Sequence, residues 1–328
     1  MRKLAQTLLG PLAALFVFAQ LWVCDALAQT YPTKPIRLIV GFAPGGSTDI
    51  IARIMAQRMT EALAQQVVVD NRPAGGGLIA AQLVAQATPD GYTLIMGTSS
   101  TFGVNPSLYR NLSYDAVKDF APIIFVSLAP NVLVVPPMVP VGSVQDLVAL
   151  AKAKPGQLNF ASSGKGGAAH VAGELFKLVA GIDIVHVPYK GTGQALSDLL
   201  GGQVQMSFTT VVAVLPHIKS ARLKALGVTS PKRVQALPDV PTMAEANFPR
   251  VNATSWNGML APAGTSRAVI ERLNREMQKI LSAIEMREQL VRQGAQSMGG
   301  KPEEFAAFIK AEIAKWDKVV KAAGLRDE

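Results

Sequence analysis

The most constraining stretch runs from Leu38 to Ile50, Leu-Ile-Val-Gly-Phe-Ala-Pro-Gly-Gly-Ser-Thr-Asp-Ile. Its apolar run breaks at Pro44-Gly45-Gly46, and the polar Ser47-Thr48-Asp49 then opens a helical pattern. This reads as a buried strand, a tight glycine turn and a helix N-terminus. Glycine lets the backbone approach a ligand with no Cβ in the way. The free N–H groups of the first helical turn, with the helix dipole behind them, favour an anion. One such turn is equally an ordinary strand-to-helix corner. Similar strand ends recur at Leu94–Thr101 and Leu158–Gly167, and several converging on one cleft would make a pocket for a small carboxylate.

The chain begins with Met1-Arg2-Lys3, an apolar stretch from Leu8 to Val23 and the small-residue pattern Ala26-Leu27-Ala28. Residues 1–28 therefore read as a cleaved secretory signal. A transmembrane anchor is disfavoured because Gln20 interrupts the apolar segment. Cys24, the only cysteine, falls inside that signal, and Val23 before it does not suit a lipoprotein. The exported chain is thus expected to have no thiol or disulfide, and its length buries enough apolar surface to do without one. Losing Arg2, Lys3 and Asp25 lowers the net charge from +9 to +8. The basic residues are scattered and form no nucleic-acid motif, so a weak field attracting small organic anions is expected, with no nucleic-acid partner.

Beyond the leader the chain alternates strand-like apolar runs with helical patterns: strands near 36–40, 67–69, 92–96, 123–128, 132–135, 158–161, 184–187, 204–208 and 223–228. Such runs imply parallel sheets covered on both faces. A return segment near 251–261 and two C-terminal helices follow, with Thr265 read as the cap of the first. Phe305, Ile309, Ile313, Trp316 and Val320 form one stripe on the last helix, read as core packing. The fold class is α/β with two lobes, each a mainly parallel sheet flanked by helices. The boundaries are 29–130 with 252–328 for lobe 1 and 131–251 for lobe 2.

Catalytic and metal chemistry find little support. His170, His186 and His217 lack ligand spacing, and no G-x-S-x-G elbow is present. Gly164-Lys165-Gly166-Gly167-Ala168-Ala169 matches G-x-G-x-x-A, but Val187-Pro188-Tyr189-Lys190 supplies no acid where a dinucleotide site needs one. No cofactor and no metal are expected. The hydroxyls of Ser47, Thr98, Ser99, Ser162, Ser163, Thr192, Thr209 and Thr210 stand at strand ends, where they either cap turns or meet a ligand.

The chain resembles the Bug-type periplasmic receptors, the substrate-binding subunits of tripartite tricarboxylate transporters. The resemblance rests on Tyr31-Pro32 with Lys34-Pro35-Ile36, Pro44–Asp49, Asn71-Arg72-Pro73-Ala74-Gly75-Gly76-Gly77 and Thr88-Pro89-Asp90-Gly91-Tyr92. It continues through Asn105-Pro106-Ser107-Leu108-Tyr109, Ala161-Ser162-Ser163-Gly164, His186–Gly191 and Leu237–Thr242. It implies a two-lobed venus-flytrap fold of the periplasmic-binding-protein class, monomeric and without catalysis. Such a receptor traps a small mono-, di- or tricarboxylate, aromatic acids and acidic amino acids included, and hands it to membrane permease subunits. Carried over by position, Phe42, Pro44, Gly45, Gly46, Ser47 and Asp49 form one side of the site, Asp49 as a polar organiser or the partner of an amino group. Ser162, Ser163, Lys165, Gly166, Gly167, Ala168 and His170 form the other, with Tyr189 as a wall and Thr98, Ser99, Thr192 and Thr209 between. Lys165 stands where this family often has asparagine, and Thr209 where an aspartate is frequent. Both departures point to a ligand with more negative charge, or one lacking an amine. The alternatives are an exported α/β enzyme acting on a small carboxylate and a ligand-presenting sensor subunit.

Overall fold

The computed structural model describes residues 31–73, 75–322 and 324–326. The expected signal at 1–28, with Cys24, lies outside them. Pro35–Glu328 forms one compact unit.

The chain runs β1 (Ile36–Val40), α1 (Ser47–Leu63), β2 (Val67–Asn71), α2 (Leu78–Ala85) and β3 (Thr93–Thr98). A π-helical turn at Ser100–Val104 leads into α3 (Asn105–Leu108), then β4 (Phe120–Ala129) and β5 (Asn131–Val135). Next come α4 (Val144–Ala153), β6 (Asn159–Ser162), α5 (Ala168–Ala180), β7 (Val185–Pro188), α6 (Thr192–Leu200), β8 (Met206–Thr210), α7 (Val211–Lys219) and β9 (Lys224–Val228). The chain ends with β10 (Ser255–Pro262), α8 (Arg267–Ser282), α9 (Ile284–Arg292), β11 (Gln296–Ser297) and α10 (Pro302–Ala322). In β1, Ile36, Leu38, Ile39 and Val40 are all wholly buried, as a strand covered on both faces requires. In α1, Ile51, Met55 and Met59 recur every four residues and face the core.

Two sheets result, in the orders β11-β4-β10-β3-β1-β2 and β7-β6-β8-β5-β9. Both are mixed, which corrects the mainly parallel expectation. β1 runs parallel to β2 and β3, and β6 to β7 and β8. β10 is antiparallel to β3 and β4, and β5 to β8 and β9. Strand direction was not legible because a doubly covered apolar run reads alike whichever way its neighbour points. β4 delivers the chain through Pro130 to the second sheet, and β10 brings it back alongside β4. Register shifts at Asn257/Gly258 and Met259/Leu260 bend this pair.

The last helix ties the sheets together. Phe305 and Ile309 pack with Ile39, Phe125 and Trp256 of the first sheet's core, while Trp316 and Val320 pack with Leu133, Phe160 and Phe208 of the second. The cap of α8 is Ser266, whose Oγ accepts from the Val269 N–H at 3.4 Å, and not Thr265, whose hydroxyl donates to the Pro262 carbonyl at 2.8 Å. The helices at 105–108 and 211–219 escaped the sequence reading, the first because it is a single turn and the second because the interior Pro216 argues against helix there.

Candidate functional site

A cavity of about 60 Å³ lies between the two sheets, on the scale of a handful of waters. The first sheet's side contributes Phe42, Gly46, Ser47, Thr48, Thr98, Ser99, Ser100, Ser255, Trp256 and Asn257. Asn131, Ser163, Ala168, Ala169, Thr192, Thr209 and Thr210 come from the second. A side pocket of about 20 Å³ continues past Ser163, Ala169, Thr192 and Thr209 towards Leu196 and Ser207. No lining residue of the main cavity carries a charge.

What converges there is main chain. The N-termini of α1, α5, α6 and α7 border the cavity at Ser47, Ala168, Thr192 and Thr210, and none of the four has a side-chain cap. Away from it, α4 and α8 are capped by Ser143 and Ser266. A helix start leaves N–H groups without intrahelical partners, and a serine cap satisfies one of them. Here those donors, and the positive ends of four dipoles, are left for whatever enters. The hydroxyls of Ser47, Ser99, Ser163, Thr192 and Thr209 make no hydrogen bond among the described residues, so they too can serve an anion. Two donors are already engaged: the Ala168 N–H donates to Ser100 Oγ at 3.1 Å, bridging the two sides, and the Val211 N–H at the start of α7 donates to the Pro130 carbonyl at 2.9 Å.

Of the residues singled out from sequence, Phe42, Gly46, Ser47, Thr98, Ser99, Ser163, Ala168, Thr192 and Thr209 share this cavity. Pro44, Gly45, Asp49, Ser162, Lys165, Gly166, Gly167, His170 and Tyr189 are not among its lining residues. Several of these shape the loops behind it. Asp49 is 3 % exposed, and its carboxylate accepts from the Gly45 N–H, Arg53 Nε and Asn71 Nδ2, each at 2.9 Å. Burial pushes its pKa up, but the hydrogen bonds from Arg53, Gly45 and Asn71 outweigh that and hold it below the usual value. Asp49 thus fixes the turn at Gly45, whose φ of +77° suits glycine.

The second loop rests on a histidine pair. His170 Nδ1 accepts from the Gly166 N–H at 3.2 Å, and Ser162 Oγ lies 2.6 Å from His186 Nε2. The two imidazoles stack with centroids 4.0 Å apart. Burial, reinforced by the charge of Lys165, lowers the pKa of His170 to about 4. Burial, then His170 and Lys165, lowers that of His186 to about 3. Both rings are neutral at neutral pH, as the acceptor role of His170 demands. Lys165 itself is exposed, and the Tyr189 hydroxyl donates to Asp198 at 2.7 Å.

Ser100, Asn131, Ser255, Trp256 and Asn257 were not anticipated as site residues. Ser100 follows directly on Ser99, but the other four arrive through long-range pairing: Asn257 lies opposite Thr98, and Ser255 Oγ donates to Asn131 Oδ1 at 3.3 Å. No local pattern announces this.

Residues 51–325 match the family model described as tripartite tricarboxylate transporter family receptor. Among solved structures, the R. palustris protein Rpa4515 with adipate is 38% identical, with a TM-score of 0.88 over 90% of this chain and 98% of that one. The periplasmic binding protein BugD is 34% identical, with a TM-score of 0.87 over 91% and 100%. MatC from Rhodopseudomonas palustris with bound malate is 31% identical, with a TM-score of 0.84 over 88% and 100%.

Proposed function

Since the chain belongs to the receptor family of tripartite tricarboxylate transporters, we propose that it captures a small organic acid between its lobes in the periplasm and delivers it to the transporter's membrane subunits. The observation that carries this reading is the meeting of four uncapped helix N-termini, two sheets and unspent hydroxyls around one uncharged cavity. Adipate and malate in the related structures are both dicarboxylates, the class that two opposed amide-rich walls suit.

The arithmetic supports a binding protein of ordinary affinity. Each helix end contributes about 1 kcal/mol, and four contribute about half of the ~8 kcal/mol of a micromolar complex. Hydroxyl and amide hydrogen bonds at about 1 kcal/mol each supply the remainder. With no carboxylate in the lining, a ligand amine has no ionic partner there. An acid without an amino group is therefore favoured, in line with Thr209 at its position. The site binds and does not transform: the lining holds no histidine, cysteine, acid or lysine to move a proton.

Two sheets joined by the β4–β5 and β9–β10 crossings support lobes at 29–130 with 252–328 and at 131–251. The last helix serves both, through Phe305 on one side and Trp316 on the other. The basic and apolar leader at 1–28 supports export, with closure of the lobes as the working motion. The decisive experiment is mass spectrometry of what co-purifies with the exported chain, then calorimetric titration with malate, adipate and aromatic acids. One equivalent bound and recovered unchanged is expected, about tenfold weakened by Ser163→Ala with Thr192→Val. Conversion of the acid, or a folded protein indifferent to every acid, would refute the proposal.

A further inference from the structure

A second cavity, of about 640 Å³, lies on the other face of the crossing strands. Successive residues of a strand face opposite ways. Asn252, Thr254 and Trp256 line this cavity, whereas Ser255 and Asn257 line the cleft described above. Trp256 borders both, so the partition is a single strand thick. The remaining walls are the 230–236 loop after β9 on one side and, on the other, Val291 of α9, Ala295 beyond it, and Phe308 and Glu312 of α10.

Its chemistry differs from that of the cleft. The walls are apolar and aromatic, with Trp256, Phe308, Leu128, Pro130, Val234 and Ala236. The one acid, Glu312, is spent: it accepts from Trp256 Nε1 and Trp316 Nε1, both at 3.0 Å, and from Lys315 Nζ at 3.1 Å. Lys232, Arg233 and Lys315 stand at the margin. Arg233 is taken by Glu245 at 3.0 Å, and Lys232 pairs with no carboxylate among the described residues. The Thr254 hydroxyl in the wall is buried and without a partner. Pockets of this size accept ligands of drug-like dimensions. An apolar chamber with an unspent cation at its margin selects an occupant that is apolar in body and negative at one end.

We propose that this cavity is a second binding site, taking one small organic anion with an aromatic or aliphatic body. It is separate from the cleft and does not depend on which acid the cleft holds. The probe is 8-anilinonaphthalene-1-sulfonate, titrated into the chain lacking residues 1–28. Of the three tryptophans in the sequence, Trp22 leaves with the leader. Trp256 and Trp316 remain, both bonded to Glu312; Trp256 borders the chamber and the cleft alike, so its quenching reports binding and the displacement and variant arms assign the site. The expected result is one equivalent bound with quenched tryptophan emission and no displacement by 1 mM malate or adipate. Ala236→Phe, which puts a ring on the chamber wall, weakens binding about tenfold or more, and Lys232→Glu about threefold. Equal binding by both variants, displacement by the acids, or more than one equivalent would each overturn the proposal. Circular dichroism establishes that Ala236→Phe folds; should it not, the exposed Lys232→Glu and the displacement arm decide.

Discussion

Asp49→Asn isolates what holds the first loop. The carboxylate Oδ2 accepts from the Gly45 N–H and Arg53 Nε, and Oδ1 from Asn71 Nδ2. Asparagine places an NH2 where one oxygen stood, so a donor faces a donor in either orientation. Turning Asn71 gives no relief: its Nδ2 also donates to the Phe42 carbonyl at 3.0 Å, and its Oδ1 accepts from Arg53 at 3.1 Å. One charge-assisted bond and its buried partner are lost, at about 2–3 kcal/mol. The ion pair itself adds under ~1 kcal/mol because the Arg53 side chain is 54% exposed and rehydrates. At ~2.1 cal/mol/K per residue over roughly 290 residues, the melting temperature falls by about 4 °C. The sign with pH is fixed by the lowered pKa: the aspartate's contribution is full above its unfolded value and disappears as pH falls through the folded one. Urea midpoints of wild type and variant should therefore differ by a constant amount from pH 8 to 5, and the gap should begin to narrow only below about pH 4, as the unfolded carboxylate takes up its proton. No gap at pH 7, or a gap that does not narrow at all on acidification below the unfolded value, refutes the role assigned to Asp49.

Three further outcomes are expected. The folded pKa values of His170 and His186, about 4 and about 3, lie below the unfolded 6.5. Stability is therefore full above pH 6.5 and falls towards pH 4 by up to about 3 kcal/mol for His170, a slope that His170→Gln reduces in urea titrations. Gly258→Ala drives a methyl into the Phe305 ring and costs about 3 kcal/mol, read from the urea midpoint; a neutral result would mean that the ring moves aside freely. Lys165→Ala, at an exposed position outside the cavity lining, changes affinity for mono- and dianions alike by calorimetry, whereas a loss above about threefold confined to dianions would restore a charge-selecting role.

What the sequence disclosed was local, and what it hid was long-range. Leu38–Ile50 announced a strand, turn and helix start because every signal for them lies within that stretch. Of the partners of Asp49, Gly45 and Arg53 lie four residues either side, but Asn71 was hidden because it reaches Asp49 only through β1–β2 pairing, which sets Val40 beside Asn71. The histidine stack was hidden likewise: His186 reaches the second loop only because β7 lies beside β6, with His186 opposite Phe160. The strand bearing Ser255, Trp256 and Asn257 read as a plain return segment. Its place beside Thr98 follows from antiparallel pairing that no apolar run encodes.

That division bears on how the proposed receptor would select its ligand. A cleft without charged side chains recognises an acid through main-chain donors, whose directions are set by loop geometry. Substituting a lining hydroxyl removes one weak bond of about 1 kcal/mol. Disturbing Asp49 or His170 tilts an entire row of N–H groups, because each holds a glycine turn feeding a helix N-terminus. The residues with most leverage over affinity are then ones that line nothing. A scan confined to the cavity wall would rank Ser163 and Thr192 above Asp49 and His170, and calorimetry on the four variants should return the reverse order.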